Sequence, residues 1–175
     1  MKRRLFMLSG PALVGLAGCG FALRKPPQFP FSSLYLQLPP GSSLGAEITR
    51  ALRFNPQLRV LSAASERASA DVILDITSEQ REKVVVAYNA AGQAREFDLR
   101  LRLRYRLFTP QGRELIGDSE ILLSREIGFV ETAVLAKEEE EMLLFRDMRN
   151  DMVQQLMRRL AAVTRLDSGP TPPVR

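Results

Sequence analysis

Histidine and tryptophan are absent from the 175 residues, and cysteine occurs once, at Cys19. Without histidine, the chain lacks the commonest general base and the commonest metal ligand. A single cysteine cannot form an internal disulfide, so the folded part must be held by its hydrophobic core. A Gly-rich phosphate loop is also missing. We therefore expect no catalytic residues, metal or cofactor; a carboxylate-pair glycosidase stays formally open, although no Asp/Glu pair stands out.

The N-terminal residues have the composition of a secretory signal. A basic start, Lys2-Arg3-Arg4, precedes a mostly apolar run that ends at Leu16 and is followed by two small residues. The run is shorter than the roughly 20 residues that span a membrane. Cleavage would fall directly before Cys19, and Leu16-Ala17-Gly18-Cys19 resembles the lipobox of bacterial lipoproteins. That resemblance implies removal of residues 1–18 and an S-diacylglycerol and N-acyl chain on Cys19, which together would anchor the protein stably in a membrane.

Cleavage would also change the charge of the protein. The whole chain has 25 basic and 20 acidic residues, and the leader removes three basic residues and no acid, which leaves a net charge of +2. A net charge of this size does not predict a polyanion partner. Since export is expected as well, we predict no nucleic-acid partner.

The mature chain has the length of one domain. Prolines at 26, 27 and 30 disfavour a helix, so residues 19–30 are expected to form a tether that carries the lipidated cysteine. Residues 31–167 are expected to form a single α+β domain. Three prolines near the C-terminus predict a disordered tail over 168–175.

Hydrophobic periodicity predicts five strands and two helices. The clearest strand is Phe97 to Phe108, in which apolar residues alternate with Asp98 and four arginines. We expect an α+β fold in which two helices pack on one face of a curved, mostly antiparallel sheet of roughly four to five strands, whose other face is polar. The predicted strands are 33–38, 58–62, 71–88 (with a bend near 80–83), 97–108 and 114–127, and the helices are 44–54 and 133–166.

The four alternating arginines allow two interpretations. Guanidinium groups bind phosphates well, but opposite charges on neighbouring strands also form ordinary cross-strand ion pairs, which we favour. A register that pairs Leu107 with Leu115 would place acidic residues opposite two of the arginines. The arginines are Arg100, Arg102, Arg104 and Arg106; the expected partners are Asp118 for Arg104 and Glu120 for Arg102, with Asp71, Asp75 and Glu79 flanking the other side.

Several short motifs occur in an order and at a spacing similar to those of the lipopolysaccharide-assembly lipoprotein family, LptE. The resemblance runs from Leu16 to about Leu166. It implies an outer-membrane lipoprotein of Gram-negative bacteria that plugs a large β-barrel, LptD, helps that barrel fold and binds lipopolysaccharide. Gly20, in place of an aspartate, also favours the outer membrane. The motifs are Cys19-Gly20-Phe21-x-Leu23-Arg24, Phe31-x-Ser33-Leu34-Tyr35-Leu36, Gly92-Gln93 and Leu135-Ala136-Lys137.

The resemblance also implies a binding site. The family's Leu-Ala-Lys lysine, implicated in lipopolysaccharide binding, corresponds to Lys137; the alternative is a helix-start lysine paired with Glu141. The family's second basic position falls on Ala90 in this sequence, and Arg95 is the nearest basic substitute.

A different function also stays open, that of a periplasmic lipoprotein that carries lipid without a barrel. Such a carrier would need an apolar cavity.

Overall fold

The computed structural model describes residues 27–130 and 133–163. The expected signal peptide, Cys19, the expected tail over 168–175 and the predicted helix end at Leu166 lie outside these residues.

The described residues form one mixed sheet of five strands together with two α-helices. In chain order, the elements are β1 (Ser33–Gln37), α1 (Gly45–Arg53), β2 (Arg59–Leu61), a 3₁₀ helix (Ala64–Ser69), β3 (Val72–Tyr88), β4 (Ala94–Phe108), β5 (Glu114–Gly128) and α2 (Val134–Ala161). The strand order is β2-β1-β3-β4-β5. The short β1 runs parallel to both of its neighbours, whereas the long strands β3, β4 and β5 are antiparallel. The predicted α+β fold class is confirmed.

The main core lies between one face of the sheet and the two helices. In α1, residues spaced by four, Leu44, Ile48 and Leu52, are fully buried because a helix returns to the same face about every fourth residue. The apolar residues of β4 alternate with its arginines and meet the buried stripe of α2. Strand and helix contributions include Leu34, Leu74, Leu99, Leu103, Leu107, Phe145, Met148, Met152, Leu156 and Leu160.

An irregularity in β3 corrects one of the expectations. Asp71, Asp75 and Glu79 were expected to share a face, but the β3–β4 register shifts between Ile76 and Ser78. A bulge of this kind moves the following side chains to the opposite face. Glu79 therefore lies on the helix side, where it accepts hydrogen bonds from two serine hydroxyls and from the backbone N–H of Leu44 (3.2 and 3.3 Å).

The remaining differences in the sheet are smaller. Pairing is regular from Ser78 to Val85, and the irregularities flank that stretch, so the bend expected near 80–83 is wrong. The second face is not uniformly polar, because Ile73 is fully buried outside the main core and pairs with Phe108. The ring of Phe108 is in turn covered by the guanidinium of Arg67 at 6.0 Å.

A tight turn joins each neighbouring pair of the long strands. In the first, the Asn89 carboxamide oxygen accepts hydrogen bonds from the backbone N–H groups of Ala91 and Gln93, each at 2.9 Å. Gly92 (φ 79°) and Gly112 (φ 88°) adopt the left-handed conformation that glycine tolerates best. The positive φ angle required at these turn positions explains why each hairpin contains a glycine there.

The topology gives the domain two ends. At the end that we call the tether end, residues 27–32 enter β1, α1 ends, β4 turns into β5, and α2 ends. At the opposite end, the hairpin end, the β3–β4 turn lies beside the last residues of β5 and the start of α2. Among the described residues, no helix is both long enough and apolar enough to cross a membrane.

Candidate functional site

Lys137 lies in the first turn of α2, at the hairpin end. Its ammonium nitrogen contacts Glu140 Oε2 at 2.8 Å, and its side chain is 26% exposed. Lys137 is ion-paired within its own helix, as in the alternative interpretation, but its partner is Glu140 rather than Glu141, whose carboxylate is held from the sheet. A partly exposed lysine whose one partner is a neighbouring surface glutamate can exchange that partner for another anion at little cost.

Glu141 is the centre of a contact between α2 and β3. Its carboxylate contacts Lys83 Nζ at 2.7 Å and Arg81 Nη2 at 3.2 Å. Burial raises the pKa of the Glu141 carboxyl, but hydrogen bonds and charge from Lys83 and Arg81 outweigh burial, so the pKa lies below its ordinary value. The two cations also cover aromatic rings: Arg81 lies 3.7 Å from the centroid of Phe145, and Lys83 lies 4.4 Å from that of Phe97.

A small cavity of about 60 Å³ joins these groups at the hairpin end. Its wall contains both lysines, an aromatic pair formed by Phe97 and Phe129, and two glutamates. The rings of Phe97 and Phe129 meet edge to face with centroids 5.7 Å apart. The cavity can hold little more than water, so a larger anionic ligand would bind across its mouth. The lining residues are Lys83, Phe97, Ile127, Gly128, Phe129, Val134, Lys137, Glu138 and Glu141.

Arg95 lies at the same end. Its carbonyl oxygen accepts a hydrogen bond from the backbone N–H of Phe129 at 2.7 Å. Arg95 is exposed, and within residues 27–130 and 133–163 its side chain forms no ion pair. Phe129 also lines the cavity beside Lys137, so the backbone of Arg95 lies next to a residue of the cavity wall.

The four alternating arginines lie on the other face of the sheet, and each is paired with a carboxylate. Hydrogen bonds from Ser124 and Arg100 lower the pKa of Asp98, and bonds from Arg104 and Arg102 lower that of Glu120. Neutralised arginines of this kind stabilise the sheet surface and favour the structural interpretation over phosphate binding. The ion pairs are Arg100–Asp98 (2.7 Å), Arg102–Glu120 (3.0 Å), Arg104–Glu120 (3.1 Å) and Arg106–Asp75 (2.8 Å).

The expected register between β4 and β5 is correct only beside the turn. Phe108 pairs with Glu114, as a Leu107–Leu115 register would require, but two irregularities follow, and Leu107 pairs with Ile116 instead. As a result, Arg104 faces Glu120 instead of Asp118. Asp71 and Glu79 do not flank the arginines: Asp71 accepts hydrogen bonds from Ser32 and Ser33, and Glu79 caps α1.

The whole-chain comparisons agree with this architecture. A sequence model described as LptE, lipopolysaccharide-assembly, matches residues 31–160. The chain belongs to the LptE family. The LPS-assembly lipoprotein LptE of Pectobacterium atrosepticum is 29% identical over 165 residues, which cover 93% of this chain and 88% of that protein. The protein of the same name from Photorhabdus laumondii is 30% identical over 165 residues and 92% of this chain, and over 87% of its own length.

Solved structures show the same fold. The solution NMR structure of an uncharacterized lipoprotein B from Nitrosomonas europaea matches with a TM-score of 0.70 and 33% identity, over 82% of this chain and 91% of that one. The crystal structure of the rare lipoprotein B from Shewanella oneidensis matches with a TM-score of 0.62 over 74% of this chain and 94% of its own. At 21% identity, this second match supports the fold alone.

The sequence pattern did not identify the contact around Glu141. The alternating β3 segment gave no sign that Arg81 and Lys83 would face a helix more than fifty residues away, and the four consecutive glutamates of α2 looked equivalent. The sequence did contain a hint of this contact, because Arg81 and Lys83 are two positions apart and therefore lie on the same face of a strand. The described residues contain no group of three or more possible metal ligands.

Proposed function

We propose that this LptE-family protein is an outer-membrane lipoprotein, anchored through lipid on Cys19, that plugs and helps assemble a large LptD-like β-barrel and binds lipopolysaccharide on its way to the cell surface. It acts by binding rather than by catalysis, and its only non-protein group is the covalent lipid. The observation that carries the proposal is the family match over residues 31–160.

The polar face of the sheet supports the proposed role as a plug in a barrel lumen. Barrel lumens are polar, and some are filled by a separate folded element. The face that carries Arg100 to Arg106 is charged, ion-paired and able to form hydrogen bonds to a polar lumen wall. A hollow of about 570 Å³ on this face is lined by Arg104, Arg106, Asp118 and Glu120 together with Thr77 and Ser119.

The hairpin end supports a lipopolysaccharide site. Lys137 and Arg95 are both accessible there, and their positive charges suit the phosphates of lipid A and of its core sugars. Apolar side chains nearby are exposed as well, Leu135 to 77% and Met142 to 62%. A cationic group beside exposed apolar surface matches an amphipathic ligand that carries phosphates and acyl chains.

Identification of the proteins that copurify with this one tests the proposed association with a β-barrel. The lipidated protein is purified by affinity from detergent-solubilised outer membranes, washed with salt, and the proteins that accompany it are identified. We expect one large β-barrel in stoichiometric amount. Recovery of the protein alone, or with phospholipid and no barrel, would contradict the proposal.

Charge reversal tests the ligand site. Lys137→Asp is expected to weaken lipopolysaccharide binding without lowering the melting temperature, because it removes the cation and leaves the core intact. Arg146→Asp is a matched control on the same helix, since Arg146 is exposed and only loosely paired with Asp147 at 4.0 Å. Equal affinities for the Lys137→Asp and unmodified proteins would reduce Lys137 to a surface residue.

Metabolic labelling tests the anchor. Cells grown with a fatty-acid analogue should label the unmodified protein but not the Cys19→Ser variant. Equal labelling of the two proteins, or no labelling of either, would overturn the proposed lipidation.

A further inference from the structure

Arginines without a carboxylate partner gather at the tether end of the domain. Arg50 and Arg53 lie in the last turn of α1, and Arg59 begins β2. All three are exposed, and none lies within 4.0 Å of a carboxylate in the described ranges. The arginines of β4 between Arg100 and Arg106, in contrast, are all ion-paired.

The carboxylates on the segments that flank these arginines, α1 and residues 62–71, are engaged by other groups. Glu47 accepts a hydrogen bond from Arg149 at 3.0 Å. Glu66 accepts one from the backbone N–H of Ala63, and Asp71 accepts three from Ser32 and Ser33. The positive charge of Arg50 and Arg53 is therefore directed to solvent rather than neutralised within the domain.

An exposed aromatic side chain lies among these arginines. Phe54 follows α1 directly and is 78% exposed, the largest exposed fraction among the large hydrophobic side chains of the described residues. Together with Ala46 and Thr49, it lines an open hollow of about 530 Å³ with Arg50 and Arg53. An aromatic ring flanked by arginines is the composition of surfaces that lie at the membrane interface.

The chain that leads to the expected anchor leaves from the same place. Asn55, the residue after Phe54, is buried, and its side-chain amide donates a hydrogen bond to the carbonyl oxygen of Pro27 at 2.6 Å. Seven residues separate Pro27 from Cys19. Even fully extended, this stretch spans at most about 28 Å. A lipid on Cys19 would therefore keep the tether end close to the bilayer.

We propose that Arg50, Arg53 and Phe54 form a membrane-contact face that rests on anionic phospholipid headgroups. This inference goes beyond barrel plugging and lipopolysaccharide binding, and it rests only on the proposed lipid anchor. The contact needs little intrinsic affinity, because a short tether makes it intramolecular at an effective concentration in the millimolar range. Anionic lipid attracts each nearby arginine, and Phe54 adds apolar area.

The face would also orient the domain. The tether end would lie against the leaflet that holds the anchor, and the hairpin end with Lys137 and Arg95 would point away from it. The candidate ligand site then lies at the end of the domain farthest from the headgroups of the anchored leaflet, which is also the orientation of a plug that enters a barrel lumen from that leaflet.

A single tryptophan tests this face, because the chain has none of its own. Phe54→Trp is introduced into the lipidated protein, which is reconstituted into phosphatidylcholine vesicles containing phosphatidylglycerol and brominated lipid. We expect blue-shifted emission and strong quenching. Tyr88→Trp is the matched control at the hairpin end, where the side chain is 65% exposed, and its emission should stay that of a tryptophan in water.

The possible results distinguish a failure of the proposed membrane-contact face from a failure of the proposed lipid anchor. If both variants remain bound to vesicles and the indole of Phe54→Trp is quenched no more than that of Tyr88→Trp, the face is overturned and the anchor stands. Protein that does not remain with the vesicles despite an intact Cys19 would overturn the anchor and the face together. A blue shift in Phe54→Trp that requires the barrel and is insensitive to brominated lipid would assign the surface to a protein partner and overturn the proposal.

The charge dependence is tested on the full mature chain carrying Cys19→Ser, so that the lipid does not dominate binding. Arg50→Gln/Arg53→Gln should lower partitioning into phosphatidylglycerol vesicles by about fivefold per arginine and leave the weak binding to pure phosphatidylcholine unchanged. The control, Arg125→Gln/Arg146→Gln, removes the same charge from exposed positions elsewhere. Equal losses in the two double variants would show a net-charge effect and contradict the proposed face.

Discussion

Lys83 of β3 and Glu141 of α2 form an ion pair of 2.7 Å between residues 58 positions apart in the chain. Arg81 adds a second contact at 3.2 Å to the same carboxylate. The pair fixes the start of α2 against the far half of the long hairpin. Since Lys137 lies one turn before Glu141, the same pair positions the candidate ligand site relative to the sheet.

Replacement of Glu141 should therefore lower stability in a pH-dependent way. Glu141→Gln is expected to lower the free energy of unfolding by about 1 kcal/mol near neutral pH, a small value because both cations are partly exposed. The folded-state pKa of Glu141 is depressed, so its contribution is fully present above the ordinary value of 4.5 and is lost as pH falls through the folded-state pKa. Urea unfolding from pH 7 to pH 3 should show the two proteins converge below pH 4.5.

Glu140→Gln is the matched control, because Glu140 pairs only within its own helix and its side chain is 49% exposed. It should change stability by less than about 0.5 kcal/mol at every pH. A stability difference for Glu141→Gln that persists unchanged at low pH would show that the charge of Glu141 is not the cause.

The position of Glu79 shows what sequence periodicity can and cannot predict. The alternation of β3 correctly predicted a long strand. A single register shift between Ile76 and Ser78 then moved Glu79 to the helix side, where it binds two serine hydroxyls and the N–H of Leu44. Local propensity does not encode such a bulge, because its stability depends on the strand and helix that it joins.

Removal of this cap should destabilise the domain. Glu79→Ala is expected to lower the free energy of unfolding by about 1–2 kcal/mol, since it leaves the backbone N–H of Leu44, at the start of α1, without its acceptor. Glu82→Ala, an exposed glutamate on the opposite face of the same strand, should cost less than about 0.5 kcal/mol. Equal losses in urea unfolding would contradict the capping role.

The buried stripe of α2 follows from apolar residues spaced by three and four, which a helix places on one face. Leu156 is fully buried, whereas Leu135 on the same helix is 77% exposed. Leu156→Ala should lower the free energy of unfolding by roughly 2–5 kcal/mol through lost burial and the cavity left behind. Leu135→Ala should stay within about 0.5 kcal/mol of the unmodified protein, and a large loss there would show that this end of the helix is covered.

The candidate site was less predictable than the fold. Lys137 and Arg95 were suggested by resemblance, and only the structure shows that Phe129 lines a cavity with Lys137 and is hydrogen-bonded to the backbone of Arg95. The expected arginine partners were partly wrong, because two irregularities in the β4–β5 pairing replaced Asp118 by Glu120 opposite Arg104. Alternating charges predict that a strand has a polar face, but register decides which charges meet.

The two interpretations of that arginine face make opposite predictions for Arg106. Its guanidinium contacts the Asp75 carboxylate at 2.8 Å, and the Asp75 side chain is only 6% exposed. Arg106→Gln removes the cation and leaves a nearly buried carboxylate without its partner, which is costly. We expect a lower urea midpoint and unchanged lipopolysaccharide binding, whereas Lys137→Asp should leave the urea midpoint unchanged and weaken lipopolysaccharide binding.

Arg146→Gln controls for the loss of one exposed charge and should change neither property. If Arg106→Gln instead weakened lipopolysaccharide binding at an unchanged urea midpoint, the arginine face would be a phosphate-binding surface, because a structural role requires that stability falls when the nearly buried Asp75 loses its partner.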